Sequence, residues 1–273
     1  MPRFKLTIEY AGTRYSGWQI QQNATTVQGE IDRAVRTITG RQDFELYGSG
    51  RTDAGVHALG QVAHLDVATP LAAAELRQRL NETLPADINI LDATPVPRRF
   101  HARHHAVARR YLYQIARRRT SYDPAHMWWV REPLDVARMR EAAAAFVGMK
   151  DFRTFAASDG RDAASAPPST VVLVDRIEII EEGELLLIRV QGSHFLWKMV
   201  RRMVGVLAEI GRGALPAGAI ATMLRDGSTA PARLTAPAAG LFLERVFYEG
   251  DLPSVSTGRP ATRRPSTRRT TSS

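Results

Sequence analysis

The chain of 273 residues contains no cysteine. Disulfides, thiolate metal sites and a cysteine nucleophile are thereby excluded. No apolar run approaches the roughly 18 residues needed to span a membrane. The start, Met1-Pro2-Arg3-Phe4-Lys5, lacks an apolar secretory segment. These absences set the expectation of a cytoplasmic protein with no membrane partner. Acid is also missing where base is dense. Between Arg98 and Arg119 stand eight arginines and three histidines without a single carboxylate.

What is present is a basic chain with an ordinary globular composition. Apolar residues make up 44% and charged residues 24%, enough to bury a sizeable core in one or two domains. The net charge of +9 calls for an acidic partner, with nucleic acid the usual one. Phe100, Tyr111 and Tyr113 are interleaved with the arginines from Arg98 to Arg119, which include Arg109 and Arg110. Guanidinium groups grip phosphate through paired N–H donors and aromatic rings stack on bases, so the strip reads as a nucleic-acid contact. A solvated basic face is the plainer alternative.

Periodicity outlines the elements. Phe4, Leu6, Ile8 and Tyr10 alternate with polar residues as a half-buried strand. Thr25 or Thr26 caps a helix with Val27, Ile31, Ala34, Val35 and Ile38 on one face and Gly40 at its end. A second helix is predicted from about Ala72 to Asn81. Val107, Tyr111, Tyr113 and Ile115 share one face of a long strand. Asp135 caps a helix that reaches Val147 and stops at Gly148. Residues 171–180 and 184–190 form a hairpin around Glu181-Glu182-Gly183. Helices are predicted over Leu196–Ile210 and Pro216–Leu224, and a last strand over Leu241–Tyr248. Trp128 and Trp129 read as core. Residues 156–169 are expected to be a mobile connection. Residues 251–273 are expected to be a disordered basic tail, with five arginines. The pattern predicts an α+β fold with a largely antiparallel sheet, in two strand–helix–strand halves (1–105 and 106–250) compatible with a duplicated ferredoxin-like unit.

The densest local signal is Gly50-Arg51-Thr52-Asp53-Ala54-Gly55-Val56-His57. It sets a carboxylate in a loop between strand-like segments, with Gly48, Gly50 and Gly55 marking tight turns. A carboxylate is ionised at neutral pH without help, so Arg51 is better read as orienting Asp53 or binding an anion. On spacing alone, a structural pair bracing the turn explains the two residues equally well. A magnesium-dependent phosphoesterase would need a second carboxylate near the motif, and none is there. His101, His104 and His105 likewise lack a carboxylate partner nearby for a metal site.

Four blocks in order resemble the tRNA pseudouridine synthase A family. They are Tyr10 to Gln19, Gly50 to His57, Phe100 to Arg103 with Arg109 to Tyr113, and Phe195 to Arg201 with Gly205 and Gly240 to Leu243. The resemblance implies the pseudouridine synthase fold, with two ferredoxin-like halves, a mainly antiparallel sheet and a basic cleft. It implies an isomerase acting on uridines 38, 39 and 40 in the anticodon stem-loop of tRNA, with no cofactor or metal, working as a homodimer. It makes Asp53 the nucleophile, Tyr111 the ring packed on the flipped base and a candidate proton acceptor, Arg201 the partner of Asp53, and Leu241 part of the uracil pocket. It gives Arg51 an RNA contact linked to base flipping, and Arg109 and Arg110 substrate contacts. An RNA-binding protein on the same fold, with Asp53 only bracing its turn, is the competing reading.

Overall fold

The computed structural model describes residues 1–157 and 169–251. Residues 158–168, most of the connection expected over 156–169, and residues 252–273 of the expected tail lie outside the described residues. Ten strands belong to one sheet: β1 (Arg3–Tyr10), β2 (Glu45–Gly48), β3 (His57–Asp66), β4 (Ile88–Val96), β5 (Ala106–Ala116), β6 (Trp128–Trp129), β7 (Gly148–Asp151), β8 (Val171–Glu182), β9 (Leu185–Gly192) and β10 (Leu241–Tyr248). The helices are α1 (Val27–Thr39), α2 (Ala73–Thr83), α3 (Val136–Ala143), α4 (Met199–Gly211), α5 (Ala219–Asp226) and α6 (Ala230–Arg233). None of these is long and apolar enough to cross a membrane.

The sheet runs β4-β1-β3-β10-β5-β9-β8-β7, with β2 added to β3 and β6 to β5. Its pairs are antiparallel except β3 with β10 and β5 with β6. Two units with the same connectivity emerge. The first is β1-α1-β2-β3-α2-β4 in the spatial order β4-β1-β3-β2. The second is β5-α3-β8-β9-α4-β10 in the order β10-β5-β9-β8. Each is a ferredoxin-like unit, so the duplication expected from the element pattern is present in the topology.

Local chemistry accounts for the elements. β1 alternates half-buried and buried residues, with Leu6 and Ile8 fully buried. Thr26 caps α1 by accepting the amide proton of Gly29, an interaction typically worth about 1 kcal/mol. Asp135 caps α3 through the Arg138 amide. A short 3-10 turn, Ala144–Phe146, then carries the chain to Gly148. Of the three glycines around the catalytic-type loop, only Gly55 has a positive φ, 76°. Gly48 makes room instead: a Cβ there would lie 2.6 Å from the Trp18 ring.

Three expectations need correction. Val107 is 46% exposed, because β9 pairs with β5 only from Arg109↔Gly192 onward and leaves Val107 without that neighbour. Trp129 is exposed beneath the Arg119 guanidinium while Trp128 packs on the core, since adjacent strand residues face opposite ways. The helix expected from Leu196 begins at Met199, because Lys198 turns the chain in a left-handed conformation at φ 60°.

Two large apolar clusters lie under the helices. One joins α1 and α2 to β1 and β3, and the other joins α3, α4 and α5 to β5, β8 and β9. They interlock. Val56, from the loop before β3, enters the second cluster, while Leu243, Val246 and Tyr248 of β10 enter the first. Tyr111 packs against both, which places the two helical layers on one face of the sheet with Tyr111 at their seam. The opposite face carries a small patch of Leu112, Leu187 and Phe242.

Candidate active site

The loop 49–56 is held from below and from the side. The Ser49 amide donates to Val62 O at 2.7 Å, its hydroxyl to Gln61 Oε1 at 2.7 Å, and Gln61 Nε2 returns to Gly50 O at 3.1 Å. Tyr10 and Thr52 share a buried hydroxyl–hydroxyl bond of 2.8 Å, and the Trp18 amide donates to Thr52 O at 3.1 Å. The block Tyr10 to Gln19 is thus the wall against which the loop is moulded. Gly12 shows why that wall needs glycine, since a Cβ there would fall 1.9 Å from Val56 O.

His57 joins three segments. Its Nδ1 accepts the Gly12 amide proton at 3.0 Å, which leaves the ring proton on Nε2 to donate to Ala239 O at 3.1 Å. Burial, reinforced by His126 4.4 Å away between ring centroids, lowers its pKa to about 4. The ring is therefore neutral at physiological pH, and both nitrogens are satisfied.

Asp53 stands above this frame with its side chain one-quarter exposed. Two donors reach it from the start of α4. Arg201 Nη1 lies 3.4 Å from Oδ2, and Trp197 Nε1 donates to Oδ1 at 2.8 Å. Tyr111 lies within its electrostatic reach, where the Asp53 charge helps to raise the phenol's pKa. Phe195 packs edge-on against the Tyr111 ring at 5.1 Å, and Leu243 and Val190 are its cross-strand neighbours. Burial is the main cause that pushes the Tyr111 phenol up to about 12, with Arg109 pulling the other way. Tyr111 therefore offers an apolar face and a phenol that stays protonated at neutral pH.

The other expected site residues separate. Leu241 is buried at the head of β10, opposite Tyr113, within the second core. Arg51 is exposed within the loop. Arg109 shares the Tyr111 face, yet its two terminal nitrogens donate to the carbonyls of Ala106, Ser193, Ser49 and Arg103 at 3.0–3.2 Å. It ties the loop to its neighbours. Arg110 faces the other side of the sheet, where Glu244 binds it at 2.7 Å and Arg189 at 3.0 Å. The basic strip is thus divided by strand alternation, and Arg117 is also taken, by Glu181 at 2.7 Å. Arg98, Arg99, Arg103, Arg118 and Arg119 remain on the surface. His101 braces its own loop by accepting the amides of Arg103 and His104.

Trp197 has no part in the roles drawn from the sequence. It lies ahead of α4, before the left-handed turn at Lys198, so no helical spacing from Arg201 signals its approach to Asp53.

A carboxylate bound by arginine beside a half-buried aromatic ring, at the seam of two ferredoxin-like units, defines an enzyme of the pseudouridine synthase fold. A family model described as tRNA pseudouridine synthase matches residues 6–105 and 142–249. The chain is 41% identical over 251 residues to the tRNA pseudouridine synthase A of Nitrobacter hamburgensis, covering 91% of this chain and all of that one. Identity is 43% over 246 residues to that of Syntrophotalea carbinolica (89% and 95% covered) and 42% over 250 residues to that of Geotalea uraniireducens (91% and 100%). The chain belongs to the tRNA pseudouridine synthase A family and is an RNA-modifying isomerase that acts on tRNA.

Proposed function

We propose that this enzyme converts uridine to pseudouridine at nucleotides 38, 39 and 40 of the tRNA anticodon stem-loop, with Asp53 as the nucleophile. The observation that carries the reading is the Arg201–Asp53 contact of 3.4 Å at the seam that Tyr111 occupies.

The reaction breaks the bond from C1′ to N1 and makes one from C1′ to C5, with no atom gained or lost. Uracil must detach, turn and reattach without escaping. Asp53 serves as the nucleophile at C1′ or at C6, or as the base that opens a glycal route. The target first leaves its stack, which costs a few kcal/mol. The Tyr111 face offsets about 1–3 kcal/mol of that by stacking. Its phenol, at about 12, is a poor proton acceptor at neutral pH, so the packing role takes precedence. Leu241 supports the uracil pocket, Arg51 engages the RNA backbone, and Arg109 acts by shaping the loop. The enzyme works in the cytoplasm as a homodimer, through halves divided near residue 105.

Tritium release from tRNA labelled at uridine C5 tests the chemistry. Wild type releases tritium, while Asp53→Ala binds the tRNA and releases none. Release at the wild-type rate from that variant removes Asp53 from the mechanism. Reverse-transcription stops at carbodiimide-modified pseudouridine in the product tRNA check nucleotides 38–40, and light scattering checks the dimer.

A further inference from the structure

We infer that Trp197 is a positioning residue for Asp53, fixing the rotation of the carboxylate through its indole N–H. The inference rests on Asp53 being the nucleophile and goes beyond it by naming what aims the attacking oxygen.

One donor does not fix a carboxylate. Arg201 approaches Oδ2 at 3.4 Å, the long end of hydrogen bonding, and its Nε is already committed to Ala236 O at 2.7 Å. A single long contact leaves the group free to turn about its Cβ–Cγ bond. The indole contact of 2.8 Å on the other oxygen removes that freedom. The two donors then grip one oxygen each.

Trp197 is itself held in place. Its carbonyl accepts the Ala157 amide at 2.9 Å, and the next residue, Lys198, takes the left-handed conformation that turns the chain into α4. Lys198 Nζ lies 4.6 Å from the centre of the indole ring, so a cation covers the ring while the N–H points at Asp53. A packing role alone fits poorly, because the side chain is 41% exposed.

The chemistry suits the task. Indole N–H is a donor only and is uncharged throughout the working pH range. It steadies an anionic oxygen without adding a second cation that would compete for RNA phosphate. A second arginine at this place would bring that competition.

The test replaces the N–H and keeps the shape. Benzothienylalanine at position 197 exchanges the indole N–H for sulfur, and Trp197→Phe removes the donor together with one ring. With full-length tRNA in the tritium-release assay, both substitutions lower kcat about tenfold and leave KM within twofold. In the free enzyme, the indole N–H resonance of Trp197, identified by its loss in Trp197→Phe, moves on Asp53→Ala. A benzothienyl enzyme with wild-type kcat overturns the inference, whatever Trp197→Phe does. A rise in KM at constant kcat also overturns it and makes Trp197 an RNA contact. Asp53→Ala, run alongside, separates the two claims. If that variant turns over, the reading of Asp53 has failed. If it is dead while the benzothienyl enzyme is fully active, only the positioning role has failed.

Discussion

Arg201 and Ala236 are joined in both directions: the arginine's Nε donates to Ala236 O at 2.7 Å, and the Ala236 amide donates to Arg201 O at 3.0 Å. The guanidinium is thereby clamped on the loop before β10, and Nη1 alone is turned to Asp53. Lysine carries the same charge but has no planar fork to serve both ends. Arg201→Lys is expected to lower single-turnover rates by about 10- to 100-fold with tRNA affinity changed far less. Filter binding and rapid-quench kinetics on the same preparation separate the two effects.

Tyr111 divides into a ring and a hydroxyl. The phenol lies at about 12, so at neutral pH the hydroxyl is no ready proton acceptor. Tyr111→Phe should keep activity within about tenfold and leave the alkaline side of the pH–rate profile unmoved. Tyr111→Ala removes a half-buried ring that packs against both cores and should cost about 1–3 kcal/mol of stability, read from urea unfolding.

Arg109 should behave as a structural residue of the loop. Its four carbonyl acceptors lie in residues 49, 103, 106 and 193, and each loses a donor in Arg109→Ala. A destabilisation of about 2–4 kcal/mol is expected. Hydrogen exchange should quicken first at residues 49–51 and 101–106, ahead of global unfolding.

Two buried histidines set an acid limit on stability. His57 and His64 are each lowered to about 4, mainly by burial, with His126 and Arg3 respectively adding repulsion. Unfolded histidine titrates near 6.5. Above that pH both states are neutral and these groups confer no pH dependence. Between about 6.5 and 4 the unfolded chain takes up protons that the folded chain refuses, so stability falls as pH falls. The slope is at most about 1.4 kcal/mol per pH unit for each histidine. The unfolding temperature should therefore fall as pH drops from about 6.5 to 4.5. His57→Asn, which retains an acceptor for Gly12, should show a shallower decline.

The regular elements were legible because their signals are local. Alternation alone identifies β1, and Thr26 and Gly40 bracket α1 within a single stretch of sequence. The glycine-framed Asp53 was visible for the same reason. The partition of the arginines was not. Arg109 and Arg110 are neighbours in sequence and face opposite sides of β5, and the 2.0-residue period says that they differ without saying which side holds the site. Trp197 lay inside a motif that drew attention for Arg201. Its contact with Asp53 spans 144 positions and depends on the left-handed turn at Lys198, which no helical periodicity announces.

β10 lies between β3 and β5, so the central seam of the sheet is closed by the last of the described strands. A nascent polypeptide can complete most of the first unit early, but Leu241 to Tyr248 emerge after the other described strands. Until they do, β3 at His57 and Ala58 and β5 from Ala106 to Tyr113 lack the partner that β10 supplies. Assembly of the site around Asp53 therefore waits on β10. A ribosome that stalls short of residue 241 releases an inactive, edge-exposed chain suited to capture by chaperones and proteases.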